Sequence, residues 1–174
     1  MKTTKKVTVS AMVIALGAIF LTLGSAFEVL DLSLAAIASL LVVFVFIELG
    51  SPYVWLVWLS TALISFIFFS GSVVWIEYLL VFGLYPILKA YIERAPKIFW
   101  LVLKLVYINA VIVALIYLVK WILGVPFFGE ELWYINAGLY VLMNVAFIAY
   151  DMFINVMLRL YFCKYRKIFK KFLK

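Results

Sequence analysis

Long apolar runs, each close to one bilayer in length and divided by short polar breaks, fill this chain from near its start to about residue 162. A hydrocarbon core of about 30 Å takes roughly 20 helical residues to cross. The breaks mark six such runs, at residues 7–24, 33–49, 53–69, 73–91, 99–123 and 132–162. Lipid cannot satisfy exposed backbone groups, and the runs lack the period-two alternation of a membrane β-strand, so they predict helices. The expected fold is all-α: one compact bundle of six transmembrane helices over residues 1–162, with a basic amphipathic tail over 163–174. No break is long enough for a soluble domain of ordinary size. Gly50-Ser51-Pro52 and Ser70-Gly71-Ser72 read as tight helix stops, and Ala95-Pro96 as a restart, so neighbouring helices run antiparallel. The longest break, 124–131, is apolar in its middle and is expected to fold back on the helix ends as a lid.

Charge adds an orientation. Of the 174 residues 70% are apolar, and the net charge is +7. Lys2, Lys5 and Lys6 precede the first run, Lys89, Arg94 and Lys97 surround the fourth break, and the chain ends in Lys164, Arg166, Lys167, Lys170, Lys171 and Lys174. The first, third and fifth breaks hold no lysine or arginine. Cytoplasmic loops carry the excess of these residues, so both termini are expected in the cytoplasm of a cell-membrane protein, with Glu28, Asp31, Glu130 and Glu131 outside. Lys5-Lys6 and Gly24-Ser25-Ala26 also flank the first run as in a secretory signal, but the run is long for a signal core and a retained span is expected. The tail has Tyr161, Tyr165, Ile168, Phe169 and Phe172 on one helical face and cations on much of the other, which predicts a segment lying on anionic membrane lipid. Nucleic acid is not implied.

Within the spans, polar and small residues carry the remaining information. Thr8, Ala11, Ala15, Ala18 and Thr22 recur at spacings of three and four, a small-residue stripe suited to close helix approach, either inside the bundle or against a second membrane protein. Lys104 and Asp151 fall at similar depth on the fifth and sixth spans. Because a charge at a helix centre costs about 2.5–3.5 kcal/mol, they are expected to pair, with Lys89 as an alternative partner for Asp151; snorkelling or a proton relay are the other readings. Asn144, Asp151 and Asn155 share one face of the sixth span, as Asn109 and Lys120 share one of the fifth. Toward the outer side Glu77, Asn109, Lys120, Trp121, Asn136 and Tyr140 mix flat rings with directional polar groups, as a small-molecule pocket requires and as an interface belt also looks. With no histidine, one cysteine and no glycine-rich phosphate loop, the usual catalytic constellations are absent, and neither an enzyme nor a cofactor or metal is expected.

The span number, the size, Ala11-x-x-x-Ala15 in the first span and the Gly50-Ser51-Pro52 corner together resemble the S components of energy-coupling factor transporters, small six-helix membrane proteins. The resemblance covers the whole chain. It implies that the alanine motif meets a coupling transmembrane subunit that works with cytoplasmic ATPases, and that a vitamin-like small molecule binds near the outer side. The first outer break, 25–32, is short and lacks proline, and the third span has Ser60, Ala62 and Ser65 where a glycine-rich surface would match. The expected function is therefore substrate binding for an uptake transporter, with a non-transporting membrane scaffold or assembly partner as the alternative. No substrate is named by any motif.

Overall fold

The computed structural model describes residues 3–124, 133–166 and 169. Six helices cross the bundle: α1 (Thr3–Ala26), α2 (Asp31–Glu48), α3 (Ser51–Phe68), α4 (Val74–Ile92), α5 (Lys97–Leu123) and α6 (Trp133–Tyr165). A 3₁₀ turn, Glu28–Leu30, joins the first two. Among the described residues there is no strand, and the chain is a multi-pass, all-α membrane protein. The helices alternate in direction, so one end of the bundle gathers the chain termini with the α2–α3 and α4–α5 turns. We call it the terminal end. The opposite, far end holds the α1–α2 and α3–α4 turns. The expected lid, with Glu130 and Glu131, lies outside the described residues apart from Gly124.

The α2–α3 corner shows local sequence deciding local geometry. Gly50 has φ 93° and ψ 177°, a region open essentially to glycine, and it directly precedes α3, which begins Ser51-Pro52. Pro52 is favourable in a first turn because its missing N–H would have had no intrahelical partner.

α1 packs closely on α2 and α3 through Ser10, Val13, Gly17, Leu21 and Gly24, all buried. That face is about 140° around the helix from the stripe singled out in the sequence. On the stripe, Thr8, Ala11 and Ala15 are exposed, Thr22 is half-buried and only Ala18 is buried. The hydroxyls of Thr8 and Thr22 bond back to Thr4 O and Ile19 O, at 3.0 and 2.9 Å. The stripe is thus open over Thr8, Ala11 and Ala15, and apart from Ala18 the buried packing of α1 uses other residues.

α4 is the central element, with Tyr78, Tyr85, Ile76 and Ile87 almost wholly enclosed. It is not a continuous α-helix. Residues Tyr78–Phe82 form a π turn, closed by Gly83 N–H to Tyr78 O at 2.7 Å. The turn shifts the donor that would otherwise reach Leu79 O, and Pro86 has no N–H to offer Phe82 O. Side chains of three other helices donate instead: Trp58 Nε1 to Leu79 O at 3.0 Å, Tyr150 to Phe82 O at 3.1 Å, and Tyr107 to Leu80 O. Gly83 is needed beside this clamp, because a Cβ there would lie 2.5 Å from Trp58 Cδ1. Trp58 therefore works inside the bundle. Around the π turn the rings of Phe82, Tyr85, Tyr107, Phe147 and Tyr150 fill the middle of the bundle, with Tyr85 and Tyr107 stacked and the other pairs edge to face or tilted.

The tail differs from its expectation in the part that is described. α6 runs on through a π turn at Tyr161–Tyr165. Tyr161 and Phe169 pack on Phe44 of α2, Tyr161 donates to Glu48 at 3.0 Å, and Arg166 Nε lies 3.5 Å from Glu48 Oε1. Glu48, half-buried at the end of an apolar helix, draws these groups onto protein, although the sequence pattern had assigned the aromatic face to lipid. Ile168, Phe172 and the last lysines lie outside the described residues.

Candidate functional site

Two polar regions lie at opposite ends of α4. At the terminal end Asp151 sits between two lysines. Its Oδ1 accepts from Lys89 and from Tyr85 Oη at 2.5 Å, and its Oδ2 accepts from Lys104 at 2.8 Å. Glu93 Oε1 reaches both lysines, at 3.0 and 3.2 Å. The set holds two cations and two carboxylates and is formally neutral, which is what an ionic group so shielded from water requires. Lys104 and Asp151 are thus adjacent, and Lys89 joins them on the same carboxylate. Glu93 was missed. It is four residues after Lys89, one helical turn, and so reaches back to it.

Higher in the bundle, Asn109 ties α5 to α6. Its Oδ1 accepts from Tyr140, while its Nδ2 donates to Leu105 O at 2.7 Å and lies 3.4 Å from Asn144 Oδ1. This is an interhelical hydrogen-bond set with its groups used on protein. Of the six residues expected to form a pocket, Asn109 and Tyr140 are brought into contact here. Asn136 is half-buried one turn from Tyr140 on α6. Lys120 is exposed, and Trp121 is 84% exposed at the helix surface. Helical phase explains the separation: Asn109 and Trp121 are twelve residues apart, so their side chains leave α5 about 120° from each other.

Glu77 belongs to a different region, at the far end between the α1–α2 and α3–α4 turns. A cavity of about 490 Å³ opens there, lined by Gly24, Ser25, Asp31, Phe69, Ser72 and Val74, among others. Asp31 begins α2, and its Oδ1 accepts from Leu32 N–H at 2.5 Å, close to a helix N-terminus that favours negative charge. Val73 and Val74 of α4 line the cavity, and Glu77 follows them by four and three residues, on the same helix face one turn deeper. Its Oε2 is enclosed and has no hydrogen-bond partner. Asp31 acts on it as a like charge within electrostatic reach. The cavity was not legible in the sequence because its lining comes from two turns far apart in the chain. Among the described residues no group of histidine, cysteine, aspartate and glutamate side chains is arranged to hold a metal ion. Compared with protein-family models, with characterised proteins and with solved structures, the chain shows no significant match.

Proposed function

We propose that this protein is the membrane-embedded capture subunit of a small-molecule uptake system, with its ligand site in the far-end cavity and the exposed Thr8, Ala11 and Ala15 face of α1 docking a second membrane subunit. The observation that carries the reading is the cavity itself. Its volume of about 490 Å³ falls within the roughly 300–1,000 Å³ of small-molecule sites, and serine hydroxyls and a carboxylate stand beside an aromatic ring, the mixture that orients a small solute. The site moves from the Trp121–Asn136 region to the Asp31–Glu77 region. With both termini in the cytoplasm, as the lysine and arginine bias favours, the cavity faces outward, where a capture subunit must meet its ligand. The small stripe adds support, since side chains no larger than alanine or threonine let a partner helix approach closely. Transport itself then depends on partner subunits.

Native mass spectrometry of protein extracted gently from its own membrane tests this reading. A small molecule retained by the wild type and lost in a Ser72→Leu variant is expected. If no small molecule is retained and the aromatic-filled bundle co-purifies only with other membrane proteins, the protein is a scaffold.

A further inference from the structure

We infer that the far-end cavity takes a positively charged small molecule, of the ammonium class, held between Asp31 at its rim and Glu77 beneath its floor. This rests on the capture reading and specifies its ligand. Three observations converge. First, among the described residues the ionisable group in the lining is Asp31, and no lysine or arginine lines the cavity. Second, Glu77 lies on the cavity face of α4, and helix side chains tilt toward the helix N-terminus, which for α4 is the cavity end. Its Oε2 is sealed from solvent without a hydrogen-bond donor, and among the described residues no cation pairs with it. An enclosed carboxylate oxygen in this state is costly unless a donor or a positive charge meets it. Third, the aromatic residue Phe69 forms part of the wall. A quaternary or protonated amine is the ligand chemistry that satisfies carboxylates and aromatic faces together. An anionic solute would meet two carboxyl groups and, among the described residues, no basic group in the lining.

The contrast with the terminal end supports the assignment. There every carboxylate of the ionic set has a lysine within 3.2 Å, so the bundle supplies cations where neutrality is its own concern. Around the far-end cavity the described residues supply carboxylates and leave the countercharge to the ligand.

The test uses the full chain in lipid nanodiscs with tetramethylammonium chloride as the probe, against sodium chloride of equal ionic strength and tert-butanol, a neutral molecule of similar shape. A saturable rise in the unfolding midpoint with tetramethylammonium alone is expected. Asp31→Asn and Glu77→Gln should each weaken that response at least tenfold, while Glu77→Gln raises the midpoint without probe, because an unpaired buried charge is gone. That opposite movement separates loss of binding from loss of fold. An equal response to tert-butanol, or one untouched by both substitutions, overturns the inference. Native mass spectrometry distinguishes the two proposals: a retained anionic or neutral molecule overturns the cationic assignment and leaves capture standing, whereas no retained molecule and no response to the probe overturn both.

Discussion

Replacing Asp151 with asparagine keeps the side chain's shape and removes its charge, leaving Lys89 and Lys104 with Glu93 alone and the ionic set at net +1. Removing one partner of a buried ion pair costs about 3–5 kcal/mol, because the remaining charge stays out of water. The structure places this case at the lower end, about 3 kcal/mol, since Glu93 still reaches both lysines at 3.0 and 3.2 Å and is itself 29% exposed. The informative comparison is rescue. Lys89 has only 3% of its side chain exposed against 11% for Lys104, so Lys89 is the harder cation to leave unpaired. Asp151→Asn combined with Lys89→Met restores a neutral Lys104–Glu93 pair and should recover about 1–3 kcal/mol of the loss, a coupling of the size seen for residues in one network. Lys104→Met should rescue less, and Lys164→Met, at an exposed position, not at all. Reversible unfolding in mixed micelles, followed by helix content against the mole fraction of denaturing detergent, measures each corner of the cycle. If the Asp151→Asn and Lys89→Met losses add within about 0.5 kcal/mol, the four groups are not acting as one neutral set and the reasoning fails.

Further tests address the rest of the molecule. Gly83→Ala drives a methyl group into Trp58, 2.5 Å from its Cδ1, and should cost about 1–3 kcal/mol as overpacking does; recovery by an added Trp58→Leu, read in the same unfolding assay, checks the cause. Tyr150→Phe leaves Phe82 O without its donor, because Pro86 supplies none, and should cost about 1–3 kcal/mol. No such loss would mean that the carbonyl finds another partner. Ala11→Leu with Ala15→Leu, at exposed positions, should change the stability of the isolated protein by less than about 0.5 kcal/mol while abolishing co-purification of a second membrane subunit; a retained partner rules out this face. A cysteine introduced at Gly71 should react with an impermeant thiol reagent applied outside intact cells, and one at Lys97 only after the membrane is opened. The reverse pattern inverts the orientation and turns the cavity toward the cytoplasm.

Much of the architecture was written along the chain. Six spans follow from run length against bilayer thickness, and helices follow from the backbone's need to satisfy itself in lipid. Gly50 and Pro52 dictated a corner through φ alone. The meeting of Lys104 with Asp151 was legible because a charge deep in a span needs a countercharge at its own depth, and depth is a linear coordinate of the sequence. What remained hidden depends on rotation and on non-local approach. The stripe from Thr8 to Thr22 was visible as a face, but whether it turned inward or outward was settled only when Gly17 and Leu21 took the contacts with α2 and α3. Glu77 and Trp121 seemed neighbours by depth, yet helical phase carried Trp121 out to the bundle surface and Glu77 to the face of α4 below the far-end cavity. The π turn needed donors from three helices to satisfy its carbonyls, and the cavity needed two turns about 40 residues apart to close around one space, so neither was a property of any single stretch of chain. Hydropathy and depth are sums along a segment, readable one residue at a time; facing and convergence are angles between segments, and only packing assigns them.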